Sequence, residues 1–206
     1  MSKTPRLQFY HSAPDVELAD TRGNAVRLSS LWGEQTLLLA FTRHFGCPQC
    51  KELLAELAQG EQQLAQSGLR LAVITQASPP DAAEFCAQFA PGILCLADPE
   101  RKAYQAYGLG RGSLRQTIFS PEALSSNARL KKTRGWDAEL PPAGQDAMLM
   151  SGLFIIGTDG LIRLPYYYDH IADHPPLALL LNGIMGVEWK RPFEGPITGK
   201  ESTSHE

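Results

Sequence analysis

The stretch TLLLAFTRHFGCPQCKELLAEL, residues 36–57, decides the fold. Its first six residues, Thr36 to Phe41, form a continuous apolar run of strand length, as expected of a strand covered on both faces. Beyond Cys50 the period changes. Leu53, Leu54, Leu57 and Leu64 recur at helical spacing, Pro48 stands where a first-turn proline is tolerated, and Gly68 supplies a stop. A buried strand therefore runs into a helix that begins at or just before Cys47 and Cys50.

That junction is where a thiol becomes reactive. The free N–H groups and the positive end of the dipole at a helix start favour an anion. A thiolate there has its pKa lowered from about 8.5 toward roughly 7 or below. Arg43, and His44 beside it, can push the same way. Cys50 follows one turn later, and the i, i+3 spacing brings two α-carbons into disulfide range. The pair divides a redox cycle: Cys47 attacks, and Cys50 resolves a mixed disulfide or sulfenic acid. Pro48 holds the intervening turn and, with Phe45, is read as structural support.

Working outward, short strands around Val16–Leu18 and Val26–Leu28 flank the turn signal Asp20 to Asn24, and a helical turn follows at Ser29–Trp32. After the cysteine helix come a buried strand, Leu69–Thr75, a helix over Pro80–Phe89, a short strand at Ile93–Leu96 and a helix over Pro99–Tyr107. Strands alternating with helices imply right-handed crossovers and a largely parallel core. The alternation lapses over residues 108–150, which hold GLGRGS, a helix near Pro121–Lys132 and the Pro/Gly-rich TRGWDAELPPAGQD. This segment reads as an insertion. The core resumes as a hairpin, Gly152–Ile156 and Leu161–Tyr167 around Thr158-Asp159-Gly160, followed by a helix over Pro176–Asn182. The expected organisation is one domain over 1–206, with its core at about 12–107 and 151–183 and a frayed polar tail at 199–206.

Composition narrows the function classes. A chain of 206 residues with 43% apolar and 20% charged residues can bury a substantial core without staples. A net charge of -3, with both signs interspersed, offers no cationic face for nucleic acid or an anionic membrane. The opening MSKTPRLQFYHSAPDVEL lacks a signal-peptide apolar run, and no stretch reaches the ~20 residues of a membrane span. The chain reads as cytoplasmic, a compartment in which a close cysteine pair signals redox chemistry or metal before a structural bridge.

The ββαβ opening, the strand ending in Phe41, FTRHFGCPQCKE at the following helix, AYGLGRGS and the late hairpin with its helix together carry a resemblance. From about Ser12 to Asn182 the chain resembles the thioredoxin superfamily in its peroxiredoxin-type form. More closely, it resembles peroxiredoxin-like proteins of the alkyl hydroperoxide reductase/thiol-specific antioxidant group, in the branch that carries Arg-His-Phe before Cys-x-x-Cys. The resemblance implies a mixed central sheet flanked by helices and an antioxidant thiol oxidoreductase, with a peroxide or disulfide as substrate. Its electrons come from a thioredoxin- or glutathione-type thiol, and homodimers are common in the superfamily. The sulfur atoms carry the electrons, so no cofactor is called for. Two departures stand out. The positions seven and three before Cys47 hold Ala40 and His44, where peroxiredoxins proper place Pro and Thr or Ser. No proline lies in Met148 to Gly152, where thioredoxins place one facing the dithiol.

Other readings use the same residues. His44, Cys47 and Cys50, with a fourth donor such as His170, form a possible soft-metal set for a metal-binding or delivery module. A redox-sensing interaction domain, with the insertion as contact surface, is a third reading. Cys86 in AAEFCAQF and Cys95 in GILCLAD are read as core thiols, Cys86 remaining a secondary resolving candidate if its helix moves. Arg111 in GLGRGS is a candidate for a guanidinium near the thiolate. GLGRGS follows a helix rather than a strand, which rejects a nucleotide loop.

Overall fold

The computed structural model describes residues 5–183 and Trp189; the polar tail at 199–206 lies outside the described residues. Seven strands form one sheet in the order β2-β1-β5-β4-β3-β6-β7. They are β1 (Glu17–Asp20), β2 (Ala25–Arg27), β3 (Thr36–Phe41), β4 (Leu69–Thr75), β5 (Leu94–Ala97), β6 (Gly152–Ile156) and β7 (Ile162–Tyr167). β3, β4 and β5 run parallel, and the remaining pairings are antiparallel. The sheet is mixed, with a parallel centre and hairpins at both edges.

β3 is central, and its continuous apolar run is explained by two cores. Leu38 and Ala40 face one core with Leu53, Leu54, Leu57 and Leu64 from α1 (Pro48–Gln66). Leu37, Leu39 and Phe41 face the other, with Tyr104, Tyr107 and Phe154. The Phe41 ring meets Tyr104, Tyr107 and Phe154 with centroids 5.1–5.6 Å apart. Leu18 pairs with Val26 in the first hairpin, whose turn is closed by the Asp20 carboxylate accepting from the N–H groups of Arg22 and Asn24, each at 2.8 Å.

Several boundaries move for identifiable reasons. α2 spans Pro79–Phe89, one residue earlier than expected, because Ser78 is its N-cap and accepts from Asp81 N–H. α3 is only Lys102–Ala106, because buried Asp98 caps it from upstream, accepting from the N–H groups of Lys102 and Ala103 at 2.8 Å. Residues 108–150 hold a π-helical turn, Arg115–Phe119, and α4, Pro121–Arg134, which ends at Gly135 with φ 69°. α5 covers Leu177–Asn182.

One expectation is corrected outright. Cys86 and Cys95 are not free core thiols; they form a disulfide joining α2 to β5. The helix spacing of Cys86 and the strand position of Cys95 carry no sign of this, because the pairing arises only when α2 packs down on the sheet.

Candidate functional site

β3 leads through Thr42 to the loop Arg43–Gly46, and α1 then begins with Cys47 as N-cap and Pro48 as its first residue. Cys47 and Cys50 are both free and both buried. The loop is held from two sides. Gln76, just beyond β4, donates to the Arg43 carbonyl and to the Asp146 carbonyl, each at 3.0 Å, and accepts from Asp146 N–H at 2.7 Å. The segment around Glu139 crosses over Gly46, with Glu139 N–H bonded to the Gly46 carbonyl at 2.9 Å. A Cβ on Gly46 would lie 2.8 Å from the Leu140 carbonyl oxygen, so only glycine admits that crossing.

Arg43 is the organising cation. Its Nη1 donates to Cys47 Sγ at 3.4 Å, Nε to the Leu149 carbonyl at 3.0 Å, and Nη2 to the Ala147 carbonyl. Its own backbone N–H donates to Cys50 Sγ at 3.2 Å. A single residue thus touches both sulfurs, and the Ala147 and Leu149 carbonyls aim its guanidinium. Burial alone would raise the Cys47 pKa. The hydrogen bond from the Cys50 thiol, the Arg43 charge and the Cys50 backbone N–H outweigh it and lower the thiol to about 6. Cys50 is pushed well above the ordinary thiol range, by burial first and then by Cys47. The pair is therefore asymmetric: one sulfur ionises near neutrality and the other stays protonated.

His44 lies against the same site, 6% exposed, with its Nδ1 sealed from solvent and without a hydrogen-bond partner. Burial, then the Arg43 charge, hold its pKa down to about 4, so the ring is neutral at physiological pH. Phe45 stacks on Phe85 of α2, and its backbone N–H donates to Gln145 Oε1 at 2.9 Å. A cavity of about 250 Å³ opens beside the sulfur. Arg43, His44, Cys47 and Gln49 meet it, and Ile118, Leu124, Leu140 and Met148 from residues 108–150 make it mainly apolar. Residues 108–150 form a wall of the site.

The site brings together Arg43, His44, Phe45, Cys47, Pro48 and Cys50, and leaves out two candidates. Arg111 is largely exposed and paired with Asp146 at 3.2 Å rather than with a sulfur; the neighbouring Arg43 already occupies the space beside the thiol. Cys86 has no free thiol to offer, being bonded to Cys95. Among the described residues no group of three or more His, Cys, Asp or Glu side chains gathers as a metal site. His170 instead uses its Nδ1 to accept from Ala172 N–H at 3.3 Å. Sequence reasoning missed Gln76, Gln49 and Asn127. Gln49 was visible inside CPQC, but nothing in the chain marked Asn127 as its neighbour.

A thiol at the start of a helix, on the end of the central parallel strand of a mixed sheet with a second thiol one turn on, defines a peroxiredoxin-like member of the thioredoxin superfamily. The chain belongs to the AhpC/TSA family, whose sequence model matches residues 10–164. It is 33% identical over 112 residues to the chloroplastic thioredoxin-like protein AAED1 of Arabidopsis thaliana, covering 54% of this chain and 44% of that protein. It is 27% identical to peroxiredoxin-like 2C of Homo sapiens, over 84% of this chain and 79% of that one. Among solved structures, peroxidoxin BcpB of Mycobacterium tuberculosis superposes with a TM-score of 0.60 at 18% identity, over 82% of this chain and 90% of that one. The protein is a thiol-dependent redox enzyme. Among the described residues no helix is long and apolar enough to cross a membrane.

Proposed function

We propose that the protein reduces peroxides, with Cys47 as the attacking thiolate and Cys50 as the resolving thiol. The observation that carries this reading is the asymmetry of the pair: Cys47, under Arg43 and beside the cavity, has its pKa lowered to about 6, while Cys50 beneath it is pushed the other way. The thiolate attacks the distal oxygen of a hydroperoxide, the O–O bond breaks, and the alkoxide or hydroxide leaves with a proton to give an alcohol or water and a Cys47 sulfenic acid. The Cys50 thiol then displaces water from that sulfenic acid and closes the Cys47–Cys50 disulfide. Two equivalents of a thioredoxin- or glutathione-type thiol restore the dithiol and leave as their own disulfide.

Arg43 steadies the negative sulfur, Pro48 and Phe45 keep the loop and first turn in place, and neutral His44 lines the cavity. Reduction of a disulfide substrate by the same pair is the second reading, supported by the same low-pKa thiol. We further propose that the whole chain works as one thioredoxin-like domain in the cytoplasm, with a second copy of itself as its assembly partner. The Cys86–Cys95 bond, between residues 4% and 3% exposed, is uncommon in that reducing compartment, where disulfides are rare.

The test is stopped-flow oxidation of protein reduced at Cys47 and Cys50, with hydrogen peroxide and an organic hydroperoxide, the product bond being assigned by mass spectrometry. Rapid loss of two thiols with a Cys47–Cys50 bridge is expected. Oxidation no faster than that of a free thiol at the same pH would overturn the peroxidase reading.

A further inference from the structure

Gln49 stands between the two cysteines of CPQC and is almost fully buried, 2% exposed. Its carboxamide bridges the reactive sulfur to the insertion. Cys47 Sγ donates to Gln49 Oε1 at 3.5 Å, and Gln49 Nε2 donates to Asn127 Oδ1, on α4, at 2.6 Å. This direction of hydrogen bonding suits a protonated thiol, which has a proton to give. An ionised sulfur only accepts, and a carboxamide oxygen aimed at it in a buried site is repelled. Both Gln49 and Asn127, however, carry a donor at one end of the amide and an acceptor at the other. Half a turn of each carboxamide about its terminal bond reverses the whole chain. Asn127 Nδ2 then donates to Gln49 Oε1, and Gln49 Nε2 donates to the sulfur.

We propose that Gln49 and Asn127 form a reversible carboxamide relay that turns when Cys47 ionises, so that the insertion's helix supplies a positioning residue to the thiolate. Gln49 is the donor in the ionised state, and Asn127 makes that orientation available. The relay rests on the reading of Cys47 as the reacting thiolate. It assigns residues 108–150 a chemical task in addition to forming the cavity wall.

The experiment is a pH titration of thiolate ultraviolet absorbance on protein reduced at Cys47 and Cys50, comparing the unaltered chain with Gln49→Met, Asn127→Asp and the double variant. Met keeps the length of the side chain and removes the amide. Asp keeps the shape of Asn and accepts only, so it holds Gln49 Nε2 toward itself and Oε1 against the sulfur. Each single substitution is expected to move the Cys47 midpoint up by about one unit, a tenfold loss of thiolate well below both midpoints. In the Gln49→Met background, Asn127→Asp is expected to add much less than it does alone. Unmoved midpoints in the single variants overturn the relay. So does an Asn127→Asp shift retained in full beside Gln49→Met, which would reduce the effect to an added charge. An unaltered chain that titrates as an ordinary thiol defeats the thiolate reading itself and the relay with it, and is recognised without any substitution.

Discussion

The Phe45 ring lies 3.9 Å from that of Phe85, centroid to centroid and within 10° of parallel. The loop that carries Arg43 and ends at Cys47 is therefore stacked on the helix that carries Cys86. Phe85 in turn meets Phe89, and Phe89 meets Trp136 beyond α4, so one aromatic run ties together the thiol loop, α2 and the segment after α4. Replacing Phe85, itself 7% exposed, with Ala is expected to cost about 3–5 kcal/mol of stability. Loss of the stack should also loosen the thiol loop. Urea melts measure the first effect, and hydrogen exchange at residues 43–47 measures the second; unchanged exchange there would separate the stack from the site.

The rate of Cys47 oxidation should follow its ionisation. Because its pKa is lowered to about 6, the rate is expected to rise through that pH and level off above it. Arg43→Met removes the charge that favours the thiolate and should move the rise upward by about one unit or more. A pH–rate profile of the two proteins gives the answer. An Arg43→Met profile that overlays the parent would show that Cys50 and the helix start suffice.

His44 contributes stability with the opposite chemistry from an ion pair. Its folded pKa is lowered to about 4 from 6.5, so between those values the unfolded chain binds a proton that the folded one refuses. The contribution is therefore fully present above pH 6.5 and is lost as pH falls toward 4. Its size is on the order of 3 kcal/mol. His44→Gln should flatten this part of the stability-versus-pH curve measured by urea denaturation, leaving the carboxylates to account for what remains.

Gly46→Ala places a methyl group against the Glu139 and Leu140 backbone, neither of which is a flexible side-chain end. The crossing must shift, at about 1–3 kcal/mol, and the bond between Glu139 N–H and the Gly46 carbonyl is strained or lost. The expected readout is a lower melting temperature together with an altered Cys47 oxidation rate, since the same crossing forms part of the cavity wall.

The Cys86–Cys95 bond closes a short loop between α2 and β5 and should stabilise the fold by about 2–3 kcal/mol. Cys86→Ala with Cys95→Ala is expected to lower stability by that order while leaving Cys47–Cys50 bridge formation intact. Failure of that bridge to form in a folded double variant would return Cys86 to the redox cycle.

What the chain by itself determined is the local frame. The apolar run Thr36–Phe41, the leucine period after Cys50, and Thr158-Asp159-Gly160 between two apolar runs each specify their element through near-neighbour rules: both faces covered, one face covered, and a tight turn. β3 and β4 accordingly appear with their expected limits, and Cys47 stands at the helix start because Pro48 can follow an N-cap but cannot sit inside a helix. Helix limits slipped at Asp98 because a buried carboxylate can cap a helix from four residues upstream, a choice made by packing rather than by pattern.

The chemistry around the sulfur was decided by tertiary structure. Arg43 and Arg111 are equally cationic as letters, and only the carbonyls of Ala147 and Leu149 select Arg43, more than one hundred residues away in the chain. Cys86 and Cys95 read as two separate apolar positions until α2 is laid on β5. Gln49 and Asn127 are 78 positions apart and meet only because α4 folds back over the first turn of α1. Periodicity reports which face of an element is buried; it says nothing of which distant element covers that face, and the hydrogen-bonding neighbours of a reactive thiol belong to the covering element.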